Sequence, residues 1–120
     1  MTEAFRITRV YTDAAGESRF EDLKVPLDNA GPIGYLSRHY EVERLVFRKV
    51  RPSYDYDFHT APARQFIILL DGEIEIETSL GEKRTFYPGE VLLVEDVTGK
   101  GHKTRNLKPV ERRSIFVTLK

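Results

Sequence analysis

The hydrophobic and polar positions alternate in short runs along this chain, and turn residues interrupt them about every eight to twelve positions. Phe5 to Tyr11 alternates, with Phe5, Ile7 and Arg9 on one face, which predicts a first strand at a sheet edge. Asp13 to Glu17 is a turn, and Phe20 to Leu27 is a second strand. Asp28-Asn29-Ala30-Gly31-Pro32 breaks that strand, and Ile33 to His39 reads as an extended crossing segment. Tyr40 to Val50 is rich in β-branched and aromatic residues, as a strand requires. Arg51 to Phe58 reads as a polar, aromatic loop. Arg64 to Leu70 is too short for a helix, lies between Pro62 and Gly72, and is apolar on both faces, which predicts a strand buried on both sides. Asp71-Gly72 is a hairpin signal. Glu73 to Glu77 then alternates, with the isoleucines inward and the carboxylates outward. Lys83 to Tyr87, Val91 to Val94, His102 to Leu107 and Arg112 to Leu119 complete the strands. Turns at Leu80-Gly81-Glu82 and Pro88-Gly89-Glu90 and a flexible loop at Val97 to Gly101 separate them.

No stretch holds a helical apolar period over three turns, and the expectation is therefore all-β, a sandwich or small barrel. In such a fold alternate residues face the lumen. His102, Thr104 and Asn106 share one face of their strand, and Gln65, Ile67 and Leu69 share one face of theirs.

The 120 residues suit one domain, spanning 1–120. With no cysteine, disulfides, thiolate metal sites and cysteine nucleophiles are excluded. Nineteen basic residues balance nineteen acidic ones, so no net field attracts nucleic acid or an anionic membrane. Neither a signal peptide nor a transmembrane span is read, so the cytoplasm is the expected compartment. Phosphate-loop, dinucleotide and nucleophile-elbow motifs are absent, and no nucleotide cofactor is expected.

Two stretches carry the candidate chemistry. One is His59 through Gly72, a histidine in a loop running into an apolar strand. The other is His102-Lys103-Thr104-Arg105-Asn106, about forty residues on. Together they resemble the two motifs of the cupins, small antiparallel jelly-roll barrels. The first motif covers about 54–72, with His59 at its first histidine, Gln65 at its glutamate and Gly72 at its glycine. The second covers about 88–107, with Pro88-Gly89 leading to His102 and then Asn106. Asp57 through Gln65, together with Glu95 through His102, is similar to a subgroup of single-domain bacterial cupins without an assigned activity. In the family, histidines and a glutamate commonly hold a divalent metal inside the barrel. Here Ala61 replaces the second histidine and Gln65 the glutamate.

The resemblance implies that His59 and His102 converge on a small-molecule pocket. Two roles stay open for them. With Gln65 they could hold iron, zinc, nickel or manganese, although two imidazoles and an amide oxygen offer no negative charge to the cation. Without metal they could act directly as general acid and base. Asp96 reads first as a turn-former capping the Thr98-Gly99 loop near the pocket mouth, and second as a base or as the group that orients an imidazole. Gln65, Tyr54, Tyr56, Thr104 and Asn106 are the candidate substrate contacts, with Phe58 beside the tyrosines. Arg64, Lys103 and Arg105 point away from the lumen. Lys100 belongs to a lid or to a solvated turn, and Glu73, Glu75 and Glu77 form a solvated face.

The fold does not select a reaction. An isomerase, lyase or dioxygenase acting on a small organic substrate is the leading expectation. A non-catalytic ligand-binding or regulatory module is the alternative, and a structural role comes third. A homodimer paired through the edge strand Phe5 to Tyr11 is also expected.

Overall fold

The computed structural model describes residues 3–120. Its strands are β1 (Glu3–Thr12), β2 (Ser18–Asn29), β3 (Tyr35–Leu36), β4 (Val42–Val50), β5 (Asp55–His59), β6 (Gln65–Leu69), β7 (Ile74–Glu77), β8 (Lys83–Phe86), β9 (Val91–Val94), β10 (His102–Asn106) and β11 (Arg112–Leu119). A short 3-10 turn, Gly31–Ile33, sits where Pro32 interrupts the chain after β2. Among the described residues no helix is long and apolar enough to cross a membrane.

Two sheets face each other. The larger runs β3-β2-β1-β9-β6-β11-β4, and the smaller β5-β10-β7-β8. All described pairs are antiparallel except β1 with β9. The all-β, antiparallel-rich expectation is met in a jelly-roll-like form. The sheets do not hydrogen-bond into one closed barrel.

The core lies between the sheets. Val10, Leu69, Leu92 and Val94 come from the large sheet and Ile74, Ile76 and Phe86 from the small one, with Ala61 between them. Strict alternation sets this division on β7, where Ile74 and Ile76 are buried and the glutamates between and beside them are half-exposed. Burying each large aliphatic side chain contributes about 1.5–3 kcal/mol.

Four sequence expectations change. The first strand is not an edge: β1 lies inside the large sheet, with β2 on one side and β9 on the other. The edges of that sheet are β3 and β4. The segment 51–58 is only partly a loop, because Asp55–His59 forms β5. Its alternation of Tyr54, Tyr56 and Phe58 with Asp55 and Asp57 was the period-two signal. Asp71-Gly72 does not close a hairpin. It carries the chain from β6 in one sheet to β7 in the other. Finally, the 97–101 loop is held in place, with Lys100 N–H donating to Gly16 O at 3.0 Å and the Lys100 ammonium paired with Glu17.

Candidate functional site

A cavity of about 320 Å³ opens between the sheets. The small sheet contributes His59, His102, Tyr56 and Thr104 to its wall, and the loop before β5 contributes Tyr54. The large sheet contributes Gln65, Ile67, Arg48, Arg112 and Phe116. Its volume is at the lower end of the range for small-molecule sites.

His59 and His102 are register partners on β5 and β10. The pairing slips next to them: Tyr56 faces Thr104, so Asp57 and Phe58 together oppose Lys103. In an uninterrupted strand Tyr56 and His59, three positions apart, would point to opposite faces. The bulge turns both rings into the cavity. Their centroids lie 4.0 Å apart, and the His59 and His102 centroids lie 4.6 Å apart.

Both imidazoles are fixed from behind. His59 Nδ1–H donates to Asp57 O at 2.8 Å, a carbonyl within the bulge. His102 Nδ1–H donates to Asp96 Oδ2 at 2.6 Å. Each ring therefore keeps Nε2 as its free nitrogen. Asp96 is wholly buried, and its Oδ1 has no hydrogen-bond partner. This corrects its placement at the pocket mouth, since Asp96 lies behind His102 and orients the imidazole. The loop backbone adds to this support, with Ala61 N–H donating to Asp96 O at 3.0 Å. Burial pushes the His59 pKa below its ordinary value, and the bond to Asp57 O only partly offsets this.

Most of the sequence-nominated residues are brought together. His59, His102, Gln65, Tyr54, Tyr56 and Thr104 all line the cavity. Ala61 lines it as well, at the place of the family's second histidine, and adds no donor. Asn106 does not line it. Its Oδ1 accepts from Arg112 Nε at 2.9 Å, and its amide donates to Arg51 O at 3.2 Å. Asn106 therefore holds a wall residue and the loop before β5. Phe58 is exposed outside the cavity. Arg64 pairs with Glu95, and Arg105 with Glu75, both away from the lumen as expected.

Sequence reasoning missed two wall residues, Arg48 and Arg112. Arg112 is 2% exposed, its Nη2 has no partner, and its guanidinium carbon lies 5.6 Å from the Tyr54 ring centre. Arg48 lies over the same tyrosine at 4.8 Å and over Phe116 at 5.0 Å. Burial, then repulsion from Arg48, lowers the Arg112 pKa.

The donor set offers a divalent cation no negative charge. His59, His102 and Gln65 supply two neutral imidazoles and an amide oxygen, and among the described residues no group of three histidine or carboxylate side chains converges. Among the described residues the carboxylate that meets an imidazole, Asp96, already accepts from His102. Two guanidiniums line the cavity, and their charge opposes a cation there.

No protein-family model matches this chain, and no curated protein matches it. Among solved structures, a conserved protein of unknown function from Streptococcus pyogenes is 14% identical, with a TM-score of 0.46 over 71% of this chain and 69% of its own. Protein NMB1881 from Neisseria meningitidis is 19% identical, with a TM-score of 0.49 over 69% and 87%. A Salmonella typhimurium protein named for ethanolamine utilization, EutQ, is 18% identical, with a TM-score of 0.43 over 99% and 97%. None of the three carries an activity over to this chain.

Proposed function

We propose that this chain is a cupin-like small-molecule-binding protein whose cavity performs acid–base chemistry on a small organic substrate. The observation that carries this reading is the buried Asp96–His102 pair, with the His59 ring tilted against His102 in a cavity of ligand size. His102 Nε2 takes a proton from an acidic C–H or O–H of the substrate. The resulting imidazolium is stabilised by Asp96, which also fixes the ring. His59, kept neutral at pH 7 by burial, accepts or relays the proton, and Gln65 and Thr104 position polar atoms of the substrate. Return of the proton to another atom gives an isomerase, and loss of a leaving group gives a lyase.

The test is solvent deuterium exchange, by NMR, into a panel of small carbonyl and carboxylic compounds that raise the melting temperature. Exchange should fall by about 10²–10⁴-fold in His102→Ala. The variant should keep its far-UV circular dichroism. Binding without exchange would overturn the enzymatic reading and leave a ligand-binding or regulatory module. Metal content after incubation with iron, zinc, nickel or manganese separates a third outcome. Stoichiometric metal that vanishes in His102→Ala would make His59, His102 and Gln65 ligands and open Lewis-acid or dioxygenase chemistry.

A cytoplasmic setting belongs to the same proposal, and a chain without cysteine is compatible with a reducing compartment. So does a homodimer, for which the exposed Leu45 and Phe47 on β4 offer a surface.

A further inference from the structure

We propose that the ligand of this cavity is a small organic carboxylate with an apolar body, held by its charge between Arg48 and Arg112. This deepens the acid–base reading and rests on the same cavity. Four observations support it.

First, neither arginine has a carboxylate in direct contact. Among the described residues neither forms an ion pair, although eleven lysine or arginine ion pairs are present elsewhere. Arg112 makes one side-chain hydrogen bond, to Asn106, and leaves Nη2 buried without a partner. A buried cation without a counter-charge is costly, and a cavity wall is where a ligand can supply one. Second, both guanidiniums lie against one ring, Tyr54, and so converge on one end of the cavity. Arginine forks match the two oxygens of a carboxylate.

Third, an aromatic row leads from that end to the imidazoles. Tyr54 and Tyr56 have centroids 6.3 Å apart, Tyr56 and His59 4.0 Å, and His59 and His102 4.6 Å. A carboxylate on the arginines therefore lays the rest of its molecule along this row, with its far end toward the two Nε2 atoms. Fourth, Ile67, Ile74, Ile76 and Phe116 line much of the remaining wall, beside Gln65 and Thr104, which suits a hydrocarbon or aromatic body. The volume of about 320 Å³ limits that body to a small acid. The outer groove lined by Phe5, Val25, Tyr35 and Leu36 has no charged side chain and offers no such recognition.

The experiment titrates benzoate and hexanoate against benzamide and hexanamide by calorimetry at pH 7.5. Ring signals of the three histidines are followed by NMR. The acids should bind and shift the His59 and His102 signals, and the amides should bind at least roughly tenfold more weakly. Arg48→Gln should erase that preference. Because Arg112 is buried, Arg112→Lys is used beside Arg112→Gln, and it should retain part of the preference. Acids and amides binding equally, with Arg48→Gln silent, would overturn the carboxylate inference and leave the pocket reading standing. If no member of the panel moved the His59 and His102 signals, the carboxylate inference and the ligand cavity would both fall.

Discussion

Protonating His59 works against the folded state. Burial holds its pKa below the ordinary value of 6.5, so between the two values the unfolded chain binds the proton and the folded chain does not. Its contribution is therefore fully present above pH 6.5 and is lost as pH falls through the folded-state value. Urea midpoints at pH 7.5 and pH 5.5 should show a larger acid loss for wild type than for His59→Asn, which cannot titrate. Equal losses would mean that His59 is not desolvated. At this scale the sequence was partly legible. His59, Gln65 and His102 stood at motif positions, and all three line the cavity. Asp96 read first as a turn residue, because its turn propensity is local and its bond to His102 spans a loop. Arg48 and Arg112 were invisible because a charge within a strand ordinarily marks a solvated face. Their strands carry charges on both faces, including Lys49 and Arg113 beside them, so alternation alone could not tell an inner arginine from an outer one.

At the scale of elements, the site depends on two glycines at positive φ that approach its residues closely. Gly101, at φ +75°, lies so near β5 that a Cβ there would meet His59 O at 2.1 Å. Gly72, at φ +72°, would place a Cβ 3.0 Å from Arg112 Cγ. The backbone strain of alanine is nearly the same at both, roughly 1–2 kcal/mol. The obstacles differ: a strand backbone in one case, methylenes of a side chain in the other. Gly101→Ala should therefore lower the free energy of unfolding distinctly more than Gly72→Ala, and it should displace the His59 ring signals. A smaller loss at Gly101 would mean that β5 yields easily there and does not fix His59. Gly72 also explains the misread turn. Asp71-Gly72 has hairpin chemistry, but here Asp71 accepts from Arg113 N–H at 2.6 Å and Gly72 makes room for Arg112, so the turn crosses between sheets. Local turn preference cannot choose between these outcomes, because the partner strand is chosen by which apolar face must be buried. The bulge in β5 was hidden for a related reason, since it breaks the period that strand reading relies on.

Across the whole molecule, the balance of nineteen cations and nineteen anions conceals how charge is distributed. Most pairs neutralise one another on the surface, where each contributes little, while among the described residues two arginines on the cavity wall form no ion pair. The apolar surface is distributed unevenly as well. The inner face of the large sheet covers the cavity, and its outer face carries Leu45 and Phe47 on β4 beside Val117 and Ile115 on β11. Phe47 is 79% exposed and Leu45 56%, and β4 is a nine-residue edge with one side of its backbone unpaired. An exposed apolar edge of this length invites pairing or burial against another chain. The homodimer should therefore use this face rather than β1, which is enclosed by its neighbours. Sedimentation of wild type at micromolar concentration should give twice the 13.9 kDa of one chain. Leu45→Lys with Phe47→Lys should return the mass to a single chain while leaving benzoate affinity intact, because both side chains lie on the face opposite Arg48. A wild-type monomer would remove the dimer. A double variant that stays dimeric would move the interface to another surface.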